Sequence, residues 1–167
     1  MANQDRDLNH LQPFFKAKVE AWLAALKAEG IELKVTETLR SFARQEELFA
    51  LGRTKPGVKV TNARAGQSNH HWGLAVDCYP IDDNPETVNL EVALGKPVIN
   101  FDRYPHLMTA MKRAAEVGMQ FYVDWGGAWK TFRDYPHFQL IDMPSLSALR
   151  ALYPHGYRPG ESKPITG

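Results

Sequence analysis

The chain has 167 residues, of which 44% are hydrophobic and 23% are charged, and its formal net charge is +1 with the histidines neutral. These proportions are typical of a globular protein and exclude a disordered, collagen-like or coiled-coil chain, and the near-zero charge gives no electrostatic argument for nucleic-acid binding. The single cysteine, Cys78, excludes an internal disulfide and a cysteine-rich metal site.

The N-terminal residues 1–7 are polar and lack the apolar stretch of a secretory signal peptide. No window along the chain approaches the run of about 18 apolar residues that indicates a membrane-spanning helix. We therefore expect a protein that is made in the cytoplasm, stays there at first and does not insert into a membrane.

In the first half of the chain, apolar residues at helical spacing predict a helix over residues 11–29 that ends at Gly30. Strict alternation of apolar and polar residues then predicts a half-buried strand over residues 31–36. The next predicted elements are a helix over residues 41–51 capped by Gly52, and a loop over residues 53–69 with one short strand near residues 58–60.

In the second half, residues 72–79 predict a strand, and the prolines and glycine of residues 80–100 predict a loop. The remaining predicted elements are a helix over 104–117 ended by Gly118, strands over 119–123 and 137–141, and a helix over 145–153. Helices and strands mix without a regular βαβ order, which favours an α+β fold with a small antiparallel sheet. We expect one domain over residues 1–153 and a loose C-terminal tail over residues 154–167.

Chemistry-bearing residues first appear in the segment SNHHWGLAVD, residues 68–77. Along the predicted strand, the face that carries Asp77 otherwise holds only glycine and alanine, which leaves room for a metal or ligand to approach. Strict alternation places His71 on this face, whereas His70 reaches it only if the chain bends before Trp72. The alternation alone leaves open which imidazole is the ligand.

A second such segment is DYPHFQL, residues 134–140. His137 and Gln139 share one face of the predicted strand. Asp134 precedes His137 by three residues, across a turn that a proline restricts, so its carboxylate can lie beside a metal-bound histidine without binding the metal.

Two imidazoles and one carboxylate are a three-ligand set that leaves the fourth position of a tetrahedral zinc ion open to water, although Co²⁺ or Mn²⁺ also suits these ligands. Zinc lowers the pKa of a bound water to about 7 and polarises a carbonyl group. Asp134 is placed to take the proton of that water and to pass it to a leaving amine. The constellation therefore predicts metal-assisted hydrolysis of an amide.

The pattern Ser-x-His-x-x-Gly-x-Ala-x-Asp, followed later in the chain by Asp-x-x-His, resembles the zinc peptidases of the VanY and D-Ala-D-Ala carboxypeptidase type, peptidase family M15. It is most similar to their L-alanyl-D-glutamate endopeptidase branch, which includes phage endolysins and bacterial wall hydrolases. The segments TLRS (38–41), GQS (66–68) and WGG (125–127) extend the resemblance. The fold it implies is the Hedgehog/DD-peptidase-like zinc peptidase fold.

The resemblance selects His70 over His71 and implies the bend that alternation requires. Relatives that act on D-Ala-D-Ala carry Glu-x-x-His, so Asp134-x-x-His137 implies cleavage of the L-Ala–D-Glu bond of the peptidoglycan stem peptide. Arg40 would neutralise a substrate carboxylate or the developing oxyanion. The implied zinc ligands are His70, Asp77 and His137, with one zinc ion per chain; the implied general base is Asp134, and Arg40 and Ser68 lie against the substrate.

Taken with the absence of a signal peptide, the resemblance implies a monomeric phage endolysin that lyses the host cell. Such an enzyme collects in the host cytoplasm and reaches the cell wall or periplasm through a membrane lesion made by a separate holin. One alternative is a D,D-carboxypeptidase or dipeptidase of the same family. Another is a catalytically inactive, zinc-bearing module that binds the wall.

Overall fold

The computed structural model describes residues 4–81, 101–161 and 163–164, so most of the predicted loop over residues 80–100 lies outside the described part. The described residues form a four-stranded antiparallel sheet with four α-helices, which confirms the predicted α+β class. The helices are α1 (Pro13–Ala28), α2 (Phe42–Ala50), α3 (Pro105–Gln120) and α4 (Leu146–Leu152). The strands are β1 (Leu33–Glu37), β2 (Ala75–Pro80), β3 (Val123–Trp125) and β4 (His137–Leu140).

The sheet order is β1-β2-β4-β3, with every neighbouring pair antiparallel. The register pairs Asp77 of β2 with His137 of β4, which brings two of the predicted ligands together across neighbouring strands. The pairing of β1 with β2 shifts between Val35 and Glu37, so that Glu37 lies opposite Asp77. Bulges of this kind re-aim side chains next to functional sites.

The hydrophobic core lies between one face of the sheet and helices α1 and α3. Trp22 of α1 is fully buried, its ring lies 4.6 Å from that of Phe138, and its Nε1 donates to the Ala114 carbonyl at 2.9 Å. The predicted core face of the motif segment is fully buried, and it comprises Trp72, Leu74, Val76 and Cys78. With β2 and β4 fixed by this packing, their opposite faces are free to carry the site.

The prediction of a strand from residue 72 is wrong at its beginning. Residues Asn69–Trp72 form a 3-10 helix, and Gly73 follows in the left-handed region at φ +65°. Strand β2 begins only at Ala75. The alternating burial of Trp72 and Leu74 imitates a strand, because a tight turn ended by a left-handed glycine also directs both side chains into the core.

Gly118 does not end the third helix as predicted, because α3 continues to Gln120. A Cβ at this position would lie 2.8 Å from the Val123 carbonyl oxygen, so the glycine permits the close approach of α3 to β3. Strand β3 therefore begins at Val123 rather than at residue 119.

The predicted strand at residues 58–60 is absent from the described loop, whose only ladder contact is an isolated bridge between Leu51 and Lys55. Side chains of α2 hold this loop instead. Gln45 Nε2 donates to the Ala63 carbonyl at 2.7 Å, and Glu46 accepts from the Ala65 amide at 2.7 Å.

The boundary at residue 153 stays a prediction, but part of the chain beyond it makes defined contacts. Tyr157 is buried, and its amide donates to the His71 carbonyl at 2.7 Å. The segment thus packs against the turn that carries His70.

Among the described helices, none combines the length and apolar character needed to cross a membrane.

Candidate metal centre

Three side-chain atoms converge on the open face of the sheet. His70 Nε2 lies 3.2 Å from Asp77 Oδ1 and 3.2 Å from His137 Nδ1, and His137 Nδ1 lies 3.4 Å from Asp77 Oδ1. All three residues are buried, and theirs is the one group of potential metal ligands found among the described residues. The 3-10 turn supplies His70, and the β2–β4 register supplies the other two.

The ring orientation of His70 follows from its second nitrogen. Nδ1 lies 2.7 Å from the Thr38 carbonyl, which can only accept, so Nδ1 carries the hydrogen and Nε2 presents its lone pair to the cluster. Burial lowers the pKa of His70, which favours this neutral form. The turn therefore presents an imidazole already arranged as a metal ligand.

The triangle of atoms fits a tetrahedral zinc ion. Zinc–nitrogen and zinc–oxygen bonds of about 2.0–2.1 Å separate two tetrahedral ligands by about 3.3 Å, and the three observed edges are 3.2–3.4 Å. His70 Nε2 has no hydrogen to donate to Asp77, so these two acceptors oppose each other unless a cation lies between them. Two imidazole nitrogens and one carboxylate oxygen are also a ligand set that zinc prefers.

A buried ion-pair network orients Asp77. Arg40 Nη2 donates to Asp77 Oδ2 at 3.1 Å and to Glu37 Oε2 at 2.5 Å, and Arg44 Nε donates to Glu37 Oε1 at 2.6 Å. Burial opposes the charge of Arg40, but Glu37 and Asp77 outweigh burial and raise the pKa of the guanidinium. Burial likewise opposes the charge of Glu37, and Arg40 outweighs it and lowers the pKa of that carboxyl. Both groups are therefore charged, and Arg40 engages Oδ2 of Asp77 while Oδ1 faces the histidines.

His71 points away from the cluster. Its Nδ1 donates to the Arg40 carbonyl at 2.7 Å, and its ring packs 4.6 Å from that of Phe42. Burial lowers the pKa of His71 to about 4, so the ring is neutral near pH 7. The structure thus answers the question that alternation left open, because the 3-10 turn directs His70, and not His71, toward Asp77.

A cleft of about 240 Å³ opens beside the cluster. Of the residues predicted to act in catalysis or substrate binding, Asp134, Arg40 and Ser68 all line it, together with His137. Asp134 is half-buried, its amide donates to the Gly126 carbonyl at 3.2 Å, and its carbonyl accepts from the His137 amide at 3.2 Å. The turn before β4 therefore holds Asp134 at the edge of the candidate metal centre.

The sequence analysis did not single out Glu37 or Phe132, two residues that shape this site. Glu37 was missed because the alternation of β1 ends at the bulge, where a polar residue turns inward. Phe132 also lines the cleft, and it is 49% exposed with φ +48°, a conformation that no sequence pattern here indicates. Trp129, which lies beside the glycine pair and was a sequence candidate for lining a groove, lines the same cleft. Gln139, which the sequence analysis placed on the same strand face as His137, also lines the cleft.

Comparison with known proteins gives a match to a family described as "VanY: D-alanyl-D-alanine carboxypeptidase" over residues 8–123. That match includes His70 and Asp77 and ends before Asp134. The chain is also 34% identical over 131 residues to the peptidoglycan L-alanyl-D-glutamate endopeptidase CwlK of Bacillus subtilis (strain 168). The aligned region covers 78% of this chain and 74% of that protein.

Two solved structures with TM-scores above 0.5 have the same fold as this chain. The chain resembles the LD-carboxypeptidase LdcB at 17% identity, with a TM-score of 0.57 over 91% of this chain and 67% of that one. It resembles a zinc complex of the D,D-pentapeptidase VanY at 15% identity, with a TM-score of 0.54 over 90% of this chain and 82% of that one. The Serratia marcescens L-Ala D-Glu endopeptidase ChiX is 29% identical, with a TM-score of 0.48 over 83% of this chain and 86% of that one.

Proposed function

Because this chain belongs to the VanY D-alanyl-D-alanine carboxypeptidase family, we propose that it is a zinc-dependent endopeptidase that hydrolyses the L-Ala–D-Glu bond of peptidoglycan stem peptides. The observation that carries the proposal is the convergence of His70, Asp77 and His137, with edges of 3.2–3.4 Å, beside a cleft that Asp134 lines. Support for the bond comes from the identity to CwlK and from aspartate, rather than glutamate, at position 134.

In this mechanism His70 Nε2, Asp77 Oδ1 and His137 Nδ1 would hold the zinc ion. Zinc, when bound, supplies a Lewis acid that polarises the scissile carbonyl and lowers the pKa of water to about 7. The Asp134 carboxylate accepts the proton of the attacking water and donates it to the leaving amine of D-Glu. Peptide hydrolysis then consumes one water and releases one carboxyl and one amino group.

Arg40 and Ser68 have supporting parts in the proposal. Both line the cleft, where Arg40 adds positive charge next to the position at which an oxyanion develops. The terminal nitrogens of Arg40 are engaged by Glu37, Asp77 and Gln45, which favours orientation of Asp77 as its principal contribution. Ser68 precedes the 3-10 turn and is half-buried at the cleft wall.

The test is mass spectrometry of purified peptidoglycan digested with the protein, with and without a chelator. We expect new D-Glu amino termini that vanish on chelation and return with zinc. Release of free D-Ala would instead identify a D,D-carboxypeptidase, and no new termini on several wall types would leave a zinc-bearing binding module.

Two aspartate variants separate catalysis from folding and metal binding. For Asp134→Asn we expect cleavage to fall about 100- to 10,000-fold with one zinc still bound per chain, because the amide cannot accept the proton. The matched control is Asp142→Asn, on the exposed turn after β4, which should cleave like the parent protein. Full activity in Asp134→Asn would remove Asp134 from the mechanism.

We also propose a biological role, in which the enzyme acts as a monomeric endolysin and reaches the wall through a lesion made by a holin. Its support is the resemblance of the linked motifs to the endopeptidase branch that includes phage endolysins. Expression in a bacterial host tests it: we expect lysis only when a holin is co-expressed or the membrane is permeabilised. Lysis that is unchanged in Asp134→Asn would contradict a role for peptide cleavage.

A further inference from the structure

The two ring nitrogens of His137 face different partners. Nδ1 faces His70 and Asp77 at 3.2 and 3.4 Å, and Nε2 lies 2.9 Å from Gln139 Oε1. A neutral imidazole has one hydrogen, and only the nitrogen without it can bind a metal. What fixes that hydrogen therefore decides whether His137 is a competent ligand.

Gln139 is itself held by a third residue. Asn69 Nδ2 donates to Gln139 Oε1 at 2.8 Å, so this oxygen is directed at both Asn69 and His137. An amide oxygen only accepts hydrogen bonds, and it has two lone pairs, which suffice for both donors. With Oε1 in this orientation, Nε2 of His137 must be the nitrogen that carries the hydrogen.

The sheet supports this arrangement. Residues two apart on a strand share a face, and the register pairs Gln139 with Ala75, whose small side chain leaves room for the amide beside the cleft. Asn69 begins the same 3-10 turn that carries His70, so one short segment supplies one histidine of the cluster and reaches the other through Gln139.

We propose that Asn69 and Gln139 are a pair of positioning residues that hold His137 with its hydrogen on Nε2 and its Nδ1 lone pair aimed at the metal. The proposal rests on the zinc site of the proposed function. It gives His137 the same kind of outside acceptor that the Thr38 carbonyl gives His70. Hydrogen bonds of this kind typically change metal affinity about 10- to 100-fold when they are removed.

Zinc affinity of the purified protein, measured by competition with a chromophoric chelator, is the first test. Gln139→Met keeps the side-chain length but removes the acceptor, and we expect zinc binding to weaken about 10- to 100-fold. Gln139→Glu keeps an acceptor for both donors and should bind zinc at least as tightly as the parent protein. The matched control is Gln67→Met, also at the cleft but exposed, which should leave the affinity unchanged.

Proton–nitrogen correlation spectra of the zinc-free protein at about pH 8, where free imidazole is neutral, provide a readout that does not need the metal. We expect His137 in the parent protein and in Gln139→Glu to carry its hydrogen on Nε2. In Gln139→Met we expect a mixture of the two tautomers. The melting temperatures of the zinc-free variants establish that each one is folded.

Two results would overturn the proposal: a hydrogen on Nδ1 of His137 in the zinc-free parent protein, or parental zinc affinity in folded Gln139→Met. The proposal would also be contradicted if Gln139→Glu bound zinc as weakly as Gln139→Met. Glutamate preserves the acceptor for Asn69 and His137, so its zinc affinity should not fall. These failures differ from failure of the proposed function, in which the parent protein itself binds no zinc or cleaves no peptidoglycan.

Discussion

At the residue scale, Glu37 depends most on its neighbours, because it is a charged carboxylate with no solvent exposure. Arg40 and Arg44 each donate to one of its oxygens, at 2.5 and 2.6 Å. Removing one member of a buried ion pair is strongly destabilising because the remaining charge loses its compensation. Glu37 therefore stabilises the protein only as part of the network that also holds Asp77.

We predict that Glu37→Gln, which keeps the shape but removes the charge, lowers the free energy of unfolding by about 3–5 kcal/mol. The measurement is chemical denaturation of the zinc-free protein. The control is Glu116→Gln, which removes the charge of an exposed pair with Arg113 and should cost about 1 kcal/mol or less. Equal effects of the two variants would show that the buried network contributes no more than a surface pair.

The candidate metal ligands could be named from the sequence because they lie in short motifs of chemistry-bearing residues. His70, Asp77 and His137 lie in two motifs, and the structure brings them together. Alternation could not distinguish His70 from His71, since that choice depends on a 3-10 turn whose burial pattern imitates a strand. The role of Glu37 could not be predicted from the sequence. A bulge in β1 turns its side chain inward, and its partners Arg40 and Arg44 lie outside that strand.

At the element scale, Gly73 shows why the turn before β2 has its form. Its φ of +65° favours glycine, and a Cβ there would lie 3.0 Å from both the Gln12 amide nitrogen and a ring carbon of Tyr157. The turn that carries His70 is thus confined by the chain preceding α1 and by the C-terminal segment. The sequence analysis placed this glycine in a strand, and it could not identify these two neighbours, which come from distant parts of the chain.

We predict that Gly73→Ala lowers the free energy of unfolding by about 2–5 kcal/mol, from left-handed backbone strain together with crowding. It should also weaken zinc binding, since relief of the crowding displaces His70. Gly30→Ala is the control, because Gly30 has φ +80° but open space around its Cβ, so only the strain of about 1–2 kcal/mol applies. Denaturation and zinc titration of both variants check the prediction; equal costs would exclude crowding.

Gly118 illustrates the limit of local rules at this scale. Glycine after an amphipathic stretch commonly ends a helix, and that rule predicted the end of α3. Here the missing side chain serves the contact between α3 and Val123, which only the tertiary structure reveals. The order and type of most elements followed from periodicity, whereas their ends depended on packing between segments.

At the scale of the whole molecule, the proposed zinc ion would link three separate parts of the fold. We predict that zinc at about 100 times its dissociation constant stabilises the native state by about 2.7 kcal/mol, which raises the melting temperature by roughly 5–10 °C. Calorimetry with zinc and with chelator measures the shift. His137→Ala should abolish it, whereas His155→Ala, an exposed histidine outside the cluster, should retain it. A shift that persists in His137→Ala would place the metal elsewhere.

The position of the three ligands along the chain has a consequence for how the protein folds. His70 and Asp77 are 7 residues apart, but His70 and His137 are 67 apart. Closing the longer loop costs more chain entropy, and it depends on pairing of β2 with β4. A chain in which β2 and β4 have not yet paired therefore offers only His70 and Asp77 of the three proposed ligands, and high-affinity capture of the metal waits for that long-range closure. Acquisition of the proposed zinc ion should then report completed folding of the sheet, and partly assembled molecules, which lack the ion, should not cleave peptides prematurely.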